Sequence, residues 1–295
     1  MISQQASTLW ELFRNAPKQV DLPLPQRREA GEKAEGPTAE APGVEYSAAP
    51  EVDGLWAAPG HPIDGAAVLY LFGGGYVLGS PASRRKTAGH IANAASMRVM
   101  IANYRLAPEH PFPAAIDDAV SAYRALLELG AQADRIVVMG DSAGGGLAAA
   151  LLVALRDSGD PLPAGGVLIS PWADLACTGS TIETCAGVDM MCSRDSLLEM
   201  AHMYLGSHDA RDPLASPVYA DLAGLPPILA LVGGDEVLFD DAERLVRGVA
   251  MGGSDATLFV GGEMQHVWPI WAGAFPEADA AIALIGDWIR ARTST

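Results

Sequence analysis

In Gly140-Asp141-Ser142-Ala143-Gly144 a serine stands two residues from a glycine on each side. An apolar run, 136–139, precedes it and a helix-forming run, 143–156, follows, so Ser142 falls on a strand-to-helix turn. A nucleophile on so sharp a turn needs small neighbours, and the helix behind it offers free N–H groups and partial positive charge. The plainer reading is a glycine-rich turn closing an ordinary crossover; the position between strand and helix favours the nucleophile. Serine alone is a weak nucleophile and needs a base that an acid orients. His266 follows the last apolar run, in Glu263-Met264-Gln265-His266-Val267-Trp268, and Asp235 and Glu236 follow the run before it. The chain order is Ser, acid, His, with either carboxylate available as the acid. His61, His90, His110, His202 and His208 do not directly follow a core run and read as ordinary surface or core residues. A fourth segment, Phe72-Gly73-Gly74-Gly75, closes another apolar run. Consecutive glycines let backbone N–H groups approach a developing oxyanion, or they simply make a tight turn.

These residues need a scaffold that gathers them at one edge. Apolar runs at 66–72, 98–102, 136–139, 166–169, 228–232 and 256–260 read as buried strands. Helical stretches at 83–95, 114–129, 143–156, 240–251 and 276–290 alternate with them. Strands apolar on both faces, separated by helices, imply a mostly parallel sheet covered on each side, an α/β fold. All four chemical segments then lie at carboxyl ends of strands, where open α/β sheets place their ligands. Residues 178–213 break the rhythm and read as an insertion, helical at 196–204. At the other end, a short amphipathic piece with Trp10 and Phe13 leads into a Pro-, Glu- and Ala-rich stretch. Taken alone, 27–42 has the composition of a disordered tail, whereas the aromatic start implies a segment that packs over something.

The chain has 295 residues, enough to bury a substantial core without metal or disulfide. Its formal charge of −17 argues against nucleic acid or an anionic membrane as partner. No apolar run is long enough to span a bilayer, and no basic segment leads into an apolar one at the N-terminus, so the expected location is cytoplasmic. Cys177, Cys185 and Cys192 match no common zinc spacing and are expected as free thiols.

Taken together, Phe72-Gly73-Gly74-Gly75-Tyr76, the stretch Tyr104-Arg105-Leu106-Ala107-Pro108-Glu109-His110-Pro111-Phe112-Pro113-Ala114, Gly140 to Gly145 and Gly224-Leu225-Pro226-Pro227 resemble the bacterial hormone-sensitive-lipase-like esterases. The resemblance runs from about Tyr46 to the C-terminus. It implies an α/β-hydrolase fold: an eight-stranded, mostly parallel sheet flanked by helices, under a helical cap. On that reading residues 1–45 form the N-terminal part of the cap, 46–295 the catalytic domain, and about 178–213 the cap insertion. The family's oxyanion donors fall on the N–H groups of Gly74, Gly75 and Ala143. Its acid has leucine two residues after it and aspartate four after, a register that Glu236 meets through Leu238 and Asp240. Asp235 then caps the helix near Asp240 or faces solvent. Tyr104 to Ala114 reads as a turn bracing the floor of the site. One departure is plain: the family carries His before the three glycines, bracing the loop by hydrogen bonding, and Phe72 cannot do this.

The expected activity is therefore carboxylic ester hydrolysis through an acyl-enzyme, without cofactor or metal, on short- to medium-chain or small aryl esters. Tyr76, Trp10, Phe13, Met203 and Tyr204 are the expected pocket lining. A small uncharged ester is the expected partner, with a homodimer left open. The alternatives are hydrolysis of a lactone, carbamate or amide by the same triad, and ligand binding without catalysis. The plant gibberellin receptor resembles this family but lacks the histidine, which His266 supplies here.

Overall fold

The computed structural model describes residues 2–16 and 22–293. Two helices open the chain, α1 (Gln4–Asn15) and α2 (Leu24–Gly31). A hairpin follows, β1 (Glu45–Ala49) and β2 (Gly54–Ala58), and then the alternation begins. It runs β3 (Ala67–Leu71), α3 (Arg85–Ala95), β4 (Arg98–Ile101), α4 (Ala114–Glu128), β5 (Ile136–Asp141), α5 (Ala143–Ser158) and β6 (Gly165–Ile169). After β6 the chain leaves the sheet for α6 (Thr181–Thr184) and α7 (Arg194–Leu205). It returns through β7 (Ile228–Gly233), α8 (Phe239–Met251), β8 (Ala256–Gly261) and α9 (Pro276–Thr293).

The strands form one eight-stranded sheet in the order β1-β2-β4-β3-β5-β6-β7-β8. Only β2 runs antiparallel to its neighbours; the other pairs are parallel. Every residue of β3, β5, β6 and β7 is buried, so their continuous apolar runs reflect a sheet covered on both faces. The six strands expected from apolar runs form within two residues of the expected bounds. The hairpin is harder to see in the sequence, because β1 is Glu-Tyr-Ser-Ala-Ala at an edge and mostly exposed.

The stretch 27–42 is no tail. The Glu35 carboxylate, 6% exposed, accepts the N–H groups of Lys86 and Thr87 in the first turn of α3. Thr38 donates its hydroxyl to the Ile270 carbonyl, Trp271 donates Nε1–H to the Ala34 carbonyl, and Ala39 N–H reaches Ala272. Helix α1 docks likewise: Ser3 donates its N–H and hydroxyl to Glu277, and Trp10 packs edge-on against Trp271 and Phe275. Low hydropathy hid these contacts because most of them use backbone groups.

A buried charge holds the upper edge of the sheet. Asp141, the last residue of β5, is fully buried and ion-pairs with Arg84 at 2.8 Å. Its Oδ1 also accepts the Tyr70 hydroxyl at 2.9 Å and the Gly73 N–H at 3.0 Å. The glycine loop is thereby tied to the residue preceding Ser142. Phe72, fully buried, stacks on Tyr104 with ring centroids 4.3 Å apart, and the Tyr104 hydroxyl donates to the Phe72 carbonyl. Tyr104 is thus the brace that the 104–114 stretch was expected to provide. With the loop already held by Asp141 and Tyr104, Phe72→His gains nothing and buries an imidazole in an apolar niche. Thermal melting should show a loss of about 1–3 kcal/mol for the unpaired ring nitrogens. An unchanged melting temperature with a raised kcat would mean that the loop lacks a brace.

Candidate active site

Ser142 joins β5 to α5 with φ 54° and ψ −122°, a left-handed backbone that a residue with a side chain rarely adopts. Such strain costs on the order of 1–3 kcal/mol and persists only where the surroundings over-determine it. Here the Ser142 N–H donates to Ile169 at the end of β6, and its carbonyl accepts from Gly146 and Trp172. Gly144 permits the turn, since a Cβ there would run into the Leu71 carbonyl oxygen. The sharp bend lifts the Ser142 hydroxyl above the sheet.

There it meets His266, whose Nε2 lies 2.9 Å from Ser142 Oγ. On the other side of the ring, Nδ1 lies 2.9 Å from Glu236 Oε2. A carboxylate only accepts, so Nδ1–H donates to Glu236 and neutral Nε2 accepts the serine hydroxyl. Glu236 is fully buried; its other oxygen accepts the Ser170 hydroxyl at 2.6 Å and the Gly233 N–H at 2.5 Å. Ser170 Oγ in turn accepts the Val267 N–H at 3.0 Å, so one hydroxyl joins the loops that carry Glu236 and His266. Burial opposes charge on His266, but the Cys192 sulfur and the Glu236 carboxylate beside it outweigh burial and raise its pKa well above the ordinary histidine value. The Cys192 thiol is itself pushed up by burial.

Asp235 does not reach this chain. It is half-buried on the cavity wall, its side chain has no hydrogen bond among the described residues, and burial followed by the charge of Glu263 raises its pKa. Nor does it cap α8, whose N-cap is Leu238. Asp240 instead accepts the N–H groups of Ser180 and Thr181. Among the described residues, the N–H groups of Gly74, Gly75 and Ala143 meet no acceptor. Gly74 adopts φ 129°, and a Cβ there would strike the Leu78 carbonyl, so only glycine fits.

Ser142, His266, Gly74 and Gly75 open onto a cavity of about 940 Å³. Its apolar wall includes Phe13 from α1, Leu78, Met190, and Leu197 and Met200 from α7. Of the five expected lining residues only Phe13 is there. Tyr76 and Tyr204, each 1% exposed, stack on one another 3.8 Å apart, which turns both rings into core. Trp10 is spent on Trp271 and Phe275, and Met203 packs against the core one turn beyond Met200. The other five histidines lie off the cavity wall. Sequence reasoning missed Ser170, although a polar residue at the carboxyl end of β6 is the signal that singled out the other loops. Cys177, Cys185 and Cys192 are free thiols.

Comparison with known proteins agrees with this architecture. Residues 68–270 match the family model described as alpha/beta hydrolase fold. The chain is 48% identical over 230 residues to an acetyl-hydrolase of Streptomyces hygroscopicus, covering 78% of this chain and 77% of that one. It is similar to a solved esterase of the bacterial hormone-sensitive lipase family, at 40% identity and TM-score 0.93 over 99% of both chains. Crystals of a second similar protein, EstE5, were soaked with p-nitrophenyl butyrate; identity is 38% and the TM-score 0.94, over 99% of this chain and 100% of that one. With this fold and these relatives, the chain belongs to the hormone-sensitive-lipase-like esterases of the α/β-hydrolase fold.

Proposed function

We propose that the chain hydrolyses small uncharged carboxylic esters through an acyl-enzyme on Ser142. The observation that carries this reading is the unbroken chain of hydrogen bonds from Ser142 through His266 to Glu236, at 2.9 Å and 2.9 Å. His266 Nε2 takes the hydroxyl proton as Ser142 Oγ attacks the ester carbonyl, and Glu236 stabilises the imidazolium that forms. The carbonyl oxygen, now an oxyanion, sits against the N–H groups of Gly74, Gly75 and Ala143, whose hydrogen bonds strengthen only as charge develops. His266 passes the proton to the leaving alkoxide, the alcohol departs, and water repeats the sequence to release the acid.

Residues 1–45 and about 178–213 act in this reading as a cap, since α1, α2, α7 and the loop before α7 all contribute to the cavity wall. A roofed cavity favours short acyl chains. The acetyl-hydrolase and the p-nitrophenyl butyrate used on EstE5 point to the same chain lengths.

Three outcomes test the proposal. On p-nitrophenyl esters, kcat/KM should peak at acetate to butyrate and fall steeply toward palmitate, without activation at an emulsion surface; a preference for emulsified long-chain triglyceride would contradict the roofed pocket. Ser142→Ala should abolish turnover and Glu236→Gln should lower kcat by about 10⁴-fold, as in other triads whose acid is neutralised. Asp235→Asn should stay active, and the reverse pattern would make Asp235 the acid. The pH profile gives the third outcome. Because the His266 pKa is raised, its base form appears only above the ordinary histidine range. The acid limb of kcat/KM should therefore lie above pH ~6.5. A limb at or below that value would show that burial dominates.

A further inference from the structure

The loop between α6 and α7 contains a buried carboxylate that the triad chemistry does not use. Asp189 Oδ1 accepts the N–H groups of Met191 and Cys192 at 2.8 Å and 2.7 Å. Its Oδ2 accepts the Val237 N–H at 2.9 Å, the peptide group that follows Glu236. Three N–H donors and no acceptor favour the ionised form. Gln265, fully buried and adjacent to His266, holds the same loop from the other side. Its amide oxygen accepts the Met190 N–H at 2.8 Å and its amide nitrogen donates to the Val188 carbonyl at 3.1 Å. Residues 188–192 are therefore clasped between the loop bearing Glu236 and the loop bearing His266, and Met190 and Cys192 project onto the cavity wall.

We propose that Asp189 is a positioning residue, delivered by the Gln265 clasp, whose carboxylate holds the Glu236 and His266 loops in register and adds a second negative charge that favours the imidazolium. The inference rests on the reading of Ser142, Glu236 and His266 as the triad. The ionisable groups around the ring are the Glu236 carboxylate, the Asp189 carboxylate and the Cys192 thiol, with Ser142 at Nε2 and Asp235 on the cavity wall. The thiol is neutral near pH 7 because burial raises its pKa, so the two carboxylates supply the charge. Burial raises the Asp189 pKa on balance, against His266 and the Cys192 and Val237 N–H donors, which lower it. Energy that favours the imidazolium during acyl transfer is the same energy that makes the resting ring more basic. Asp189 thus links the wall of the pocket to the strength of the base.

The experiment is an NMR titration of the His266 ring in ¹³C-histidine-labelled protein, assigned by its loss in His266→Gln. Replacing a negative charge near the ring by a neutral amide removes what favours the imidazolium. Asp189→Asn should therefore lower the His266 pKa by about one unit. The acid limb of kcat/KM on p-nitrophenyl butyrate should move down with it, and kcat should fall more than KM changes. A ring titration that does not move, with kcat lowered or not, overturns the proposal and leaves Asp189 as a loop staple. If thermal melting shows Asp189→Asn unfolded, Gln265→Leu releases the loop while keeping the carboxylate, and the same downward shift is expected; an unmoved titration there overturns the proposal equally. The titration reads the ring whether or not the enzyme turns over. Failure of the triad reading would appear separately, as activity retained in Ser142→Ala.

Discussion

The carboxylate of Asp141 has no route to water, and much of the upper edge of the molecule is arranged to satisfy it. An uncompensated carboxylate in such a place costs several kcal/mol, so its partners are as constrained as it is. Arg84 brings a guanidinium from the turn before α3, Tyr70 a hydroxyl from β3, and Gly73 a backbone N–H from the glycine loop. The three partners fall between residues 70 and 84, and all converge on the residue before Ser142, 57 to 71 positions further on. Removing one partner from such a pair typically costs about 3–5 kcal/mol, because the other charge is left stranded. The Ser142 turn and the Gly73-Gly74-Gly75 loop therefore share an anchor, and neither can shift without disturbing the charge beneath both.

Above this anchor the site is built from strain and small residues. Ser142 keeps its unusual backbone because both its N–H and its carbonyl are committed, to β6 and to the residues that follow. The first turn of α5 is Ala-Gly-Gly-Gly, which lets the helix approach β3 and the loop after β6 closely enough to hold the bend. The opposite wall is different in kind. It comes from α1, α2 and the 186–200 stretch, and carries the long, flexible side chains of Met190, Met191 and Met200. Methionine adapts its shape at little cost, so this wall can change its outline while Ser142 and His266 stay fixed.

What could be read from the sequence follows from the same division. Strands buried on both faces write continuous apolar runs, so β3 to β7 are legible within two residues of their bounds, and the edge strand β8 shows a similar run although it is half exposed. The polar residues at their carboxyl ends were visible because glycine turns and a strand-to-helix junction framed them. The β1–β2 hairpin left no such trace, being short, alanine-rich and at an edge. The 27–42 stretch is ambiguous in composition for a related reason, and only the aromatic segment before it points to packing. Glu35 and Thr38 look like solvated residues until α3 and Ile270 supply their partners. The pocket lining was the least legible part. Aromatic type suggested Tyr76 and Tyr204, but two such rings within reach stack on each other, and the wall fell to Leu197 and Met200 instead. Ser170, Asp189 and Gln265 share one lesson. They act through backbone groups of loops distant in sequence, and a single sequence carries no record of which loops meet.

The contact between Ser3 and Glu277 spans 274 positions, and the neighbouring Trp10 rests on Trp271. On a ribosome adding roughly 5–20 residues per second, the first helix exists for tens of seconds before its resting place is made. During that interval Trp10 and Phe13 have no partner among Trp271 and Phe275, and the wall to which Phe13 belongs lacks His266. The central strands can assemble as they emerge, since β4, β5 and β6 each pair with a strand already synthesised. The pocket cannot. Its floor takes shape first, and its two halves meet only once the stretch from His266 to Glu277 has followed.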